Sequence, residues 1–473
     1  MGLRGAGVAA PSGASALGIS LGAAALLGVL VAGQAWPAAV VIVGAPVVLV
    51  AAVARFQWVL IVWLAGSPTL FVFPNKVLHP ILTLLTVERV LFALLVATGA
   101  AALLLRRASV PPVRPVERAM GAFLVVCAAS VVVTLPGRGS RALYEGVVLA
   151  VEGVAMPFVA FALARSQVWG DREMLRLTRV LFGVGVYLAV VGLLQFFAGV
   201  RIFLPDYLER DPGLDRATAT FYSPVEYGAV LGIVLLLTLS RLVRARHLGE
   251  RCVLLAGAAL MAVGIAASRT RAVWLALAAG AAFITLKDAL VRKALGVAVV
   301  LATIGILLVV VSPAGRSRIE ARALEVEPLL NRVALYATAV TAIVHRPVFG
   351  WGWGRESFAE AKREHITSIG GVSPQWAANP GVPHNEALFI LLQTGLLGFI
   401  PYALVFTRAW RSIGASGEAS APGSARAALA PYVQGVLVTM LVISTVSDLM
   451  YYTYYRVLAF FLIGVATAGP GRD

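Results

Sequence analysis

Residues 382–398 read VPHNEALFILLQTGLLG, so a histidine, an asparagine and a glutamate stand at the start of a long apolar run. Apolar runs recur from residue 17 to residue 468. Most span about 17–25 residues, enough to cross a hydrocarbon core of about 30 Å as a helix. The stretch therefore predicts an all-α membrane protein and places a titratable imidazole at a membrane–water boundary.

The composition supports this fold class along the whole chain. Of the 473 residues, 60% are hydrophobic and 13% are charged, whereas soluble domains have about 25% charged residues. The sequence also lacks the alternation of apolar and polar residues that is typical of outer-membrane barrels. We predict a single membrane-embedded domain over residues 1–473, folded as a polytopic transmembrane helix bundle.

The apolar runs predict about 12–14 membrane-spanning helices. The expected spans are residues 16–33, 37–54, 57–74, 81–105, 119–135, 146–164, 177–200, 225–241, 252–267, 272–286, 294–312, 385–406, 428–447 and 457–468.

Short basic loops predict the orientation. Five Arg/Lys-rich loops fall on one side of the expected spans, at residues 106–118, 165–176, 241–251, 287–293 and 408–426. Because cytoplasmic loops are enriched in Arg and Lys, both termini are expected in the cytoplasm. The net charge of +16 is thus explained by basic loops that set the orientation of the protein in the membrane. Nucleic-acid binding is excluded, since the basic residues form no continuous surface.

The remaining polar segments fall on the opposite, extracytoplasmic side. The longest is the loop at residues 312–384, which is expected to carry interfacial amphipathic helices and a Trp-rich turn at residues 347–354. Trp favours the headgroup level of a membrane, so this loop is expected to lie along the interface.

Three arginines on that side are candidates for binding an anion. Arg216 precedes one expected span, and Arg269 and Arg271 lie in a tight turn between two others. Guanidinium groups bind phosphate through two parallel hydrogen bonds, which suits a diphosphate. The structural alternatives are that Arg216 extends along the interface to reach water, and that the other two pair with lipid headgroup phosphates.

His384 is the candidate for proton transfer, because the pKa of imidazole lies near neutral. It could instead cap the following helix or hydrogen-bond a loop carbonyl. A metal site is not expected, because His345, His365 and His384 are widely spaced. Two cysteines offer neither metal-ligand spacing nor a disulfide framework.

Four segments, in order, resemble the O-antigen ligase and O-antigen polymerase superfamily. Over about residues 180–410, the motifs are Arg216 before Phe221 and Pro224, Ser268-Arg269, Arg332 followed by the PVFGWGWG stretch at 347–354, and HNEAL at 384–388 followed by GLLG at 395–398. The sequence departs from the family pattern at Ser223-Pro224, where Asn-Pro is common, and at Gln393, where a Glu is common.

The resemblance implies an inverting glycosyltransferase that needs no metal and no cofactor, in the bacterial cytoplasmic membrane with its active site outside. The donor would be a glycan on undecaprenyl diphosphate, and the acceptor a glycan or a lipid core. Arg216 and Arg269, with Arg271, would hold the diphosphate, and His384 would be catalytic. Asn385, Glu386 and Arg332 would contact the acceptor or position the site.

Two alternatives stay open at this point. Ligase and polymerase differ only in the acceptor, which the motifs do not distinguish. A polysaccharide transporter or flippase is the alternative from another class. It is disfavoured, because transporters often show internal repeats and midplane charges, whereas no repeat is evident and the charges lie at span ends.

Overall fold

The computed structural model describes residues 52–70, 87–105, 108, 111–200, 216–289, 291–292, 327–365, 381–421 and 423–469. These residues form helices and no strands. The first seven helices are α1 (Phe56–Leu70), α2 (Val87–Leu104), α3 (Pro115–Ala150), α4 (Met156–Arg165, joined to α3 by a π-helical turn at Val151–Ala155), α5 (Asp171–Ala198), α6 (Pro224–Leu242) and α7 (Leu248–Ala267). They are followed by α8 (Arg271–Lys287), α9 (Glu327–His345), α10 (Glu356–His365), α11 (Glu386–Glu418), α12 (Ala425–Ser444), a 3-10 turn at Leu449–Tyr451, and α13 (Thr453–Thr467).

The predicted fold class is confirmed. Within the described ranges, seven helices are long and apolar enough to cross a membrane, and two shorter apolar helices, Phe56–Pro68 and Thr453–Thr467, accompany them. The short helix α13 has all of its residues buried, so it forms the centre of the bundle. Three expected spans, at 16–33, 37–54 and 294–312, lie wholly or almost wholly outside the described residues.

The expected span at 385–406 is wrong in its boundaries and its shape. Within α11, Gly395 has φ 58° and ψ −160°, which is not helical. The hydroxyl of Tyr402 donates to Glu386 over 2.5 Å, although 16 residues of straight helix would separate them by about 24 Å. A short first half, 386–394, therefore folds back against a second half that continues to Glu418. Arg408 and Arg411, which we expected in a loop, lie on this second half.

The turn at 347–352 caps both sides of this break. Its carbonyls at Pro347 and Val348 accept from the N–H groups of Leu396 and Leu397, at 2.8 and 3.2 Å. Its own N–H groups at 351 and 352 donate to the carbonyls of residues 392 and 393. These are the groups that a helix end leaves without partners. The PVFGWGWG motif at 347–354 and the GLLG motif at 395–398 thus form one structural unit.

A glycine is required at residue 395 for two reasons. A left-handed φ is disfavoured for residues with a Cβ atom. A Cβ atom there would also lie 2.3 Å from the backbone carbonyl of Val348, so no side chain fits without moving the turn.

The basic loops gather at one end of the bundle, where carboxylates and carbonyls pair with them. Arg244 pairs with Asp288 at 2.7 Å, and Arg426 donates to carbonyls that include Gly469. Arg114 donates to the Thr467 carbonyl, which joins the loop before α3 to the last helix. We call this the basic end. The starts of α6, α8, α11 and α13 lie at the other end, about 28 Å away by the helical rise of α6.

Candidate active site

The predicted site segments lie at the end of the bundle opposite the basic end, which we call the site end. Among the described residues, three non-glycine residues have positive φ: Ala219 at 49°, Arg269 at 50° and His384 at 53°. All three belong to segments that the sequence marked as candidates. Strained backbone of this kind costs free energy and is concentrated at functional sites.

Arg216 holds two of these segments together. Its Nε donates to the Ser268 carbonyl at 3.0 Å, and one terminal nitrogen donates to the Thr270 hydroxyl at 2.7 Å. The next residue, Ala217, donates its N–H to the Ala267 carbonyl at 3.0 Å. Arg216 is half-buried, so it shapes the turn that presents the neighbouring arginines.

Arg269 and Arg271 project from that turn and are exposed. The Arg269 guanidinium lies 5.2 Å from the ring centroid of Phe196, within cation–π range. Arg271 is the first residue of α8. The positive end of that helix therefore adds to the charge of the two side chains, which favours an anion at this position.

His384 faces a buried carboxylate. Its backbone N–H donates to Oδ2 of Asp448 at 3.0 Å, and its ring Nδ1 lies 3.5 Å from the same oxygen. The imidazole is 40% exposed, while the carboxylate is 2% exposed. Because Nδ1 faces Asp448, Nε2 is the ring nitrogen that remains for a substrate.

The two groups of this pair have opposite pKa shifts. Burial, with a smaller contribution from the charge of Arg332, lowers the pKa of His384. Burial and the nearby Glu386 raise the pKa of Asp448 to about 8, against the opposing effect of N–H groups from His384 and Asn385. An ionised Asp448 accepts from Nδ1–H and leaves a lone pair on Nε2, which is the form that can take a proton.

Asn385 caps the first half of α11. Its side-chain oxygen accepts from the Leu388 N–H at 3.0 Å, as an N-cap residue does. Its amide nitrogen donates to the Thr445 carbonyl at 3.1 Å. The hydroxyl of Tyr336 lies within hydrogen-bonding distance of two carbonyls, those of His384 at 3.2 Å and Thr445 at 3.0 Å. These contacts hold the histidine against the loop that carries Asp448.

Arg332 lies on α9, one helical turn before Tyr336, and is exposed. Its charge acts on His384 through space. This geometry places a fourth cation beside the site, on the long loop that the sequence assigned to the extracytoplasmic side.

Glu386 points into the bundle. Its side chain is 1% exposed and forms an ion pair with Arg456 of α13, which is fully buried. The Tyr402 hydroxyl donates to the same carboxylate. Glu386 is therefore placed to position the helix start and not to touch an acceptor.

One loop links the arginine segments to the histidine segment. Ser223 and Ser447 lie close enough to Tyr452 to lower the pKa of its hydroxyl, against the larger effect of burial, which raises it. At the other end of the connection, Gly228 packs so closely on Ser268 that a Cβ atom would lie 2.9 Å from the serine hydroxyl. The loop at 445–452 and the N-terminal part of α6 thus lie between the arginine segments and the histidine segment.

Sequence reasoning missed Asp448, Tyr336 and Arg456. Asp448 lies in a polar segment that falls on the same side of the expected spans as His384. An acidic residue at a span end, on the same side as a histidine, was the signal that could have identified it.

No group of three or more His, Cys, Asp or Glu side chains suited to a metal ion occurs within the described ranges. His345 and His365 do meet, with ring centroids 4.3 Å apart. They stack face to face, which directs their nitrogens past each other and not at a shared ion. Cys127 is buried and Cys252 is exposed, and both are free thiols.

The family model described as O-antigen ligase matches residues 256–403. This match supports membership of the O-antigen ligase family. The resemblance predicted from the motifs is thus confirmed. The matched segment includes the Ser268–Arg271 turn, Arg332 and residues 384–386, whereas Arg216 and Asp448 lie outside it. The match supports a membrane protein that transfers glycans, of the ligase or polymerase type. No curated protein matches the chain.

Proposed function

We propose that this protein is an inverting, metal-independent glycosyltransferase. It moves a saccharide from undecaprenyl diphosphate to a glycan or lipid-core acceptor, at the outer face of the bacterial cytoplasmic membrane. The observation that carries this proposal is the pairing of His384 with Asp448 at the same end of the bundle as Arg216, Arg269 and Arg271.

The transfer is a single displacement. The acceptor hydroxyl oxygen attacks the anomeric carbon, and the bond from that carbon to the diphosphate oxygen breaks. The electron pair leaves with the diphosphate, and the hydroxyl proton passes to Nε2 of His384. Attack opposite the leaving group inverts the anomeric centre.

Fixed positive charge replaces a metal ion in this proposal. The leaving diphosphate gains negative charge in the transition state. Guanidinium groups and the N-terminal end of α8 stabilise that charge. Arg216 contributes by holding the turn that presents Arg269.

Purified protein tests this function directly. It is incubated with a polyprenyl-diphosphate-linked saccharide and an acceptor in excess chelator, and the anomeric configuration of the product is read by NMR. We expect transfer with inversion. Retention of configuration, or transfer only after Mg²⁺ or Mn²⁺ is added, would contradict the mechanism. Offering a lipid-core acceptor in one reaction and a lipid-linked glycan in another separates ligase from polymerase.

A further inference from the structure

The last turn of α5 contacts both arginine segments of the proposed diphosphate site. Gln195 and Phe196 are consecutive, half-buried residues of that turn. Gln195 contacts the backbone of the segment that begins at Arg216, and Phe196 contacts the side chain of Arg269. Both residues lie outside the segment that the family model matches, 256–403.

The side-chain amide of Gln195 forms two hydrogen bonds with the Arg216 segment. Its Nε2 donates to the Ala219 carbonyl at 2.6 Å, and its Oε1 accepts from the Thr218 N–H at 3.3 Å. Ala219 has a positive φ of 49°. A residue with a Cβ atom adopts this conformation at a cost in free energy, so contacts from the surrounding structure are needed to maintain it. Gln195 supplies two of these contacts from a rigid helix.

The Arg216 segment passes this restraint on to the turn after α7. Ala217 donates its N–H to the Ala267 carbonyl at 3.0 Å, and Arg216 donates to the Ser268 carbonyl at 3.0 Å. Residues 216–219 therefore lie between the end of α5 and the turn that presents the exposed arginines. A displacement of residues 218–219 would move the groups that hold this turn.

Phe196 restricts the Arg269 side chain directly. The guanidinium carbon lies 5.2 Å from the ring centroid, within the range of a cation–π contact. The N–H groups of a guanidinium lie in its own plane, so a guanidinium that packs on a ring keeps them directed at other acceptors. The ring of Phe196 thus limits where the N–H groups of Arg269 can point.

We propose that Gln195 and Phe196 are positioning residues that make the site selective for a diphosphate. The inference rests on the proposed function, and it adds the element that sets the arrangement of the cations. A diphosphate needs Arg269 and Arg271 in register, because its two phosphate groups contact both. A single phosphate group needs only one of them, so it tolerates a displaced turn.

Binding of the leaving group tests this inference separately from transfer. The probes are a polyprenyl diphosphate, which is the product of the proposed transfer, and the polyprenyl monophosphate of the same chain length. Their Kd values are measured with purified protein in detergent. Gln195→Met keeps the length of the side chain and removes both hydrogen bonds. Phe196→Leu removes the ring, and Phe196→Tyr keeps one.

Two variants serve as matched controls. Gln434→Met removes a glutamine of α12 whose Nε2 lies 3.4 Å from the Trp410 carbonyl. Phe197→Leu removes the neighbouring ring of α5, which is 73% exposed and packs edge-on against Phe196. These controls repeat the chemical changes at positions that do not carry the proposed contacts.

We expect wild type and both controls to bind the diphosphate at least about tenfold more tightly than the monophosphate. Gln195→Met and Phe196→Leu should each raise the Kd of the diphosphate about fivefold and leave the Kd of the monophosphate within about twofold. Phe196→Tyr should bind both ligands as wild type does, because tyrosine also offers a ring to the guanidinium.

Three results would overturn the inference: no preference for the diphosphate in wild type, an equal loss for both ligands in the two variants, or an equal loss in the controls. If Gln195→Met does not fold, the Phe196 variants decide the matter, since wild-type binding by Phe196→Leu would also overturn it. A wild-type protein that shows these binding differences but transfers no saccharide would contradict the proposed function alone.

Discussion

The two ends of the bundle are both rich in arginine, but the arginines differ in their surroundings. At the basic end, Arg165 pairs with Glu117, Arg241 with Glu250 and Arg244 with Asp288. At the site end, Arg269, Arg271 and Arg332 are exposed, and the backbone of Arg269 is strained. Arginines that pair with carboxylates stabilise the fold at the basic end, whereas exposed arginines at the site end are suited to bind an anion.

Acidic residues show the same division. The basic end places its carboxylates next to arginines. The site end buries Asp448 beside a half-exposed histidine, and buries Glu386 with Arg456 one layer deeper. The deeper pair positions the helix start, while the pair with the partly exposed imidazole is available for chemistry.

The largest effect is expected from breaking the buried pair. Arg456→Met leaves Glu386 charged and unpaired in the bundle, which should lower the free energy of unfolding by about 3–5 kcal/mol. The double variant Glu386→Gln/Arg456→Met removes both charges and keeps an acceptor for Tyr402, so most of the stability should return. Denaturant unfolding in detergent measures both. Equal loss in the single and double variants would show that this pair is not what holds the two helices together.

The next largest effect concerns the base. His384→Ala should reduce the rate of transfer by about 10²–10⁴-fold if the imidazole takes the proton. His384→Gln separates this role from positioning, because glutamine forms hydrogen bonds but takes no proton near neutral pH. A His384→Gln enzyme with near-normal kcat and an unchanged pH profile would rule out the base.

The comparison of arginines at the two ends comes third. Arg269→Ala should cost about 10²–10³-fold in kcat/KM, by analogy with the loss of one donor to a developing oxyanion. Arg269→Lys should lower kcat/KM almost as much, because an ammonium group cannot form the two parallel hydrogen bonds that a guanidinium group forms with phosphate. Arg244→Lys, at the basic end, is the control and should transfer normally. Equal activity of Arg269→Lys and Arg244→Lys would remove Arg269 from the diphosphate site.

A smaller effect is expected on pH dependence. The base form of the pair needs Asp448 ionised and His384 neutral. The pKa of Asp448 is raised to about 8. The rate should therefore be low below that pH, where the carboxyl is protonated, and should rise as the pH is increased through about 8 and the carboxyl loses its proton. Asp448→Asn should remove this rise and lower kcat. A wild-type rate that is flat between pH 6 and pH 9 would contradict the assignment of Asp448.

Much of this arrangement follows from sequence, because hydrophobic length and charge are local properties. Within the described residues, most spans other than 385–406, most of the basic loops, and the segments around Arg216, Arg269 and His384 could be predicted in this way. The break at Gly395 could not, because the residues on both sides of it are apolar and read as one span. Its cause is the turn at 347–352, which supplies caps from a distant part of the chain.

The side-chain pairs of the site could not be predicted either, because they join distant parts of the chain. Asp448 is 64 residues from His384, and Arg456 is 70 residues from Glu386. Neither pair has a spacing that predicts contact. Glu386 follows His384 and Asn385 directly, yet it points into the bundle, because Arg456 and Tyr402 bind it there.

Thiol labelling tests the difference between the two ends most directly. Single cysteines are placed at Arg271 and Arg332 of the site end, and at Ala419 of the basic end, in a background without Cys127 and Cys252. All three positions are exposed, unlike Ser268, which is fully buried. With an impermeant reagent on intact cells, and any outer envelope permeabilised, we expect the cysteines at 271 and 332 to react and the one at 419 to be protected. Labelling at 419 with protection at 271 and 332 would contradict an outward-facing transferase site.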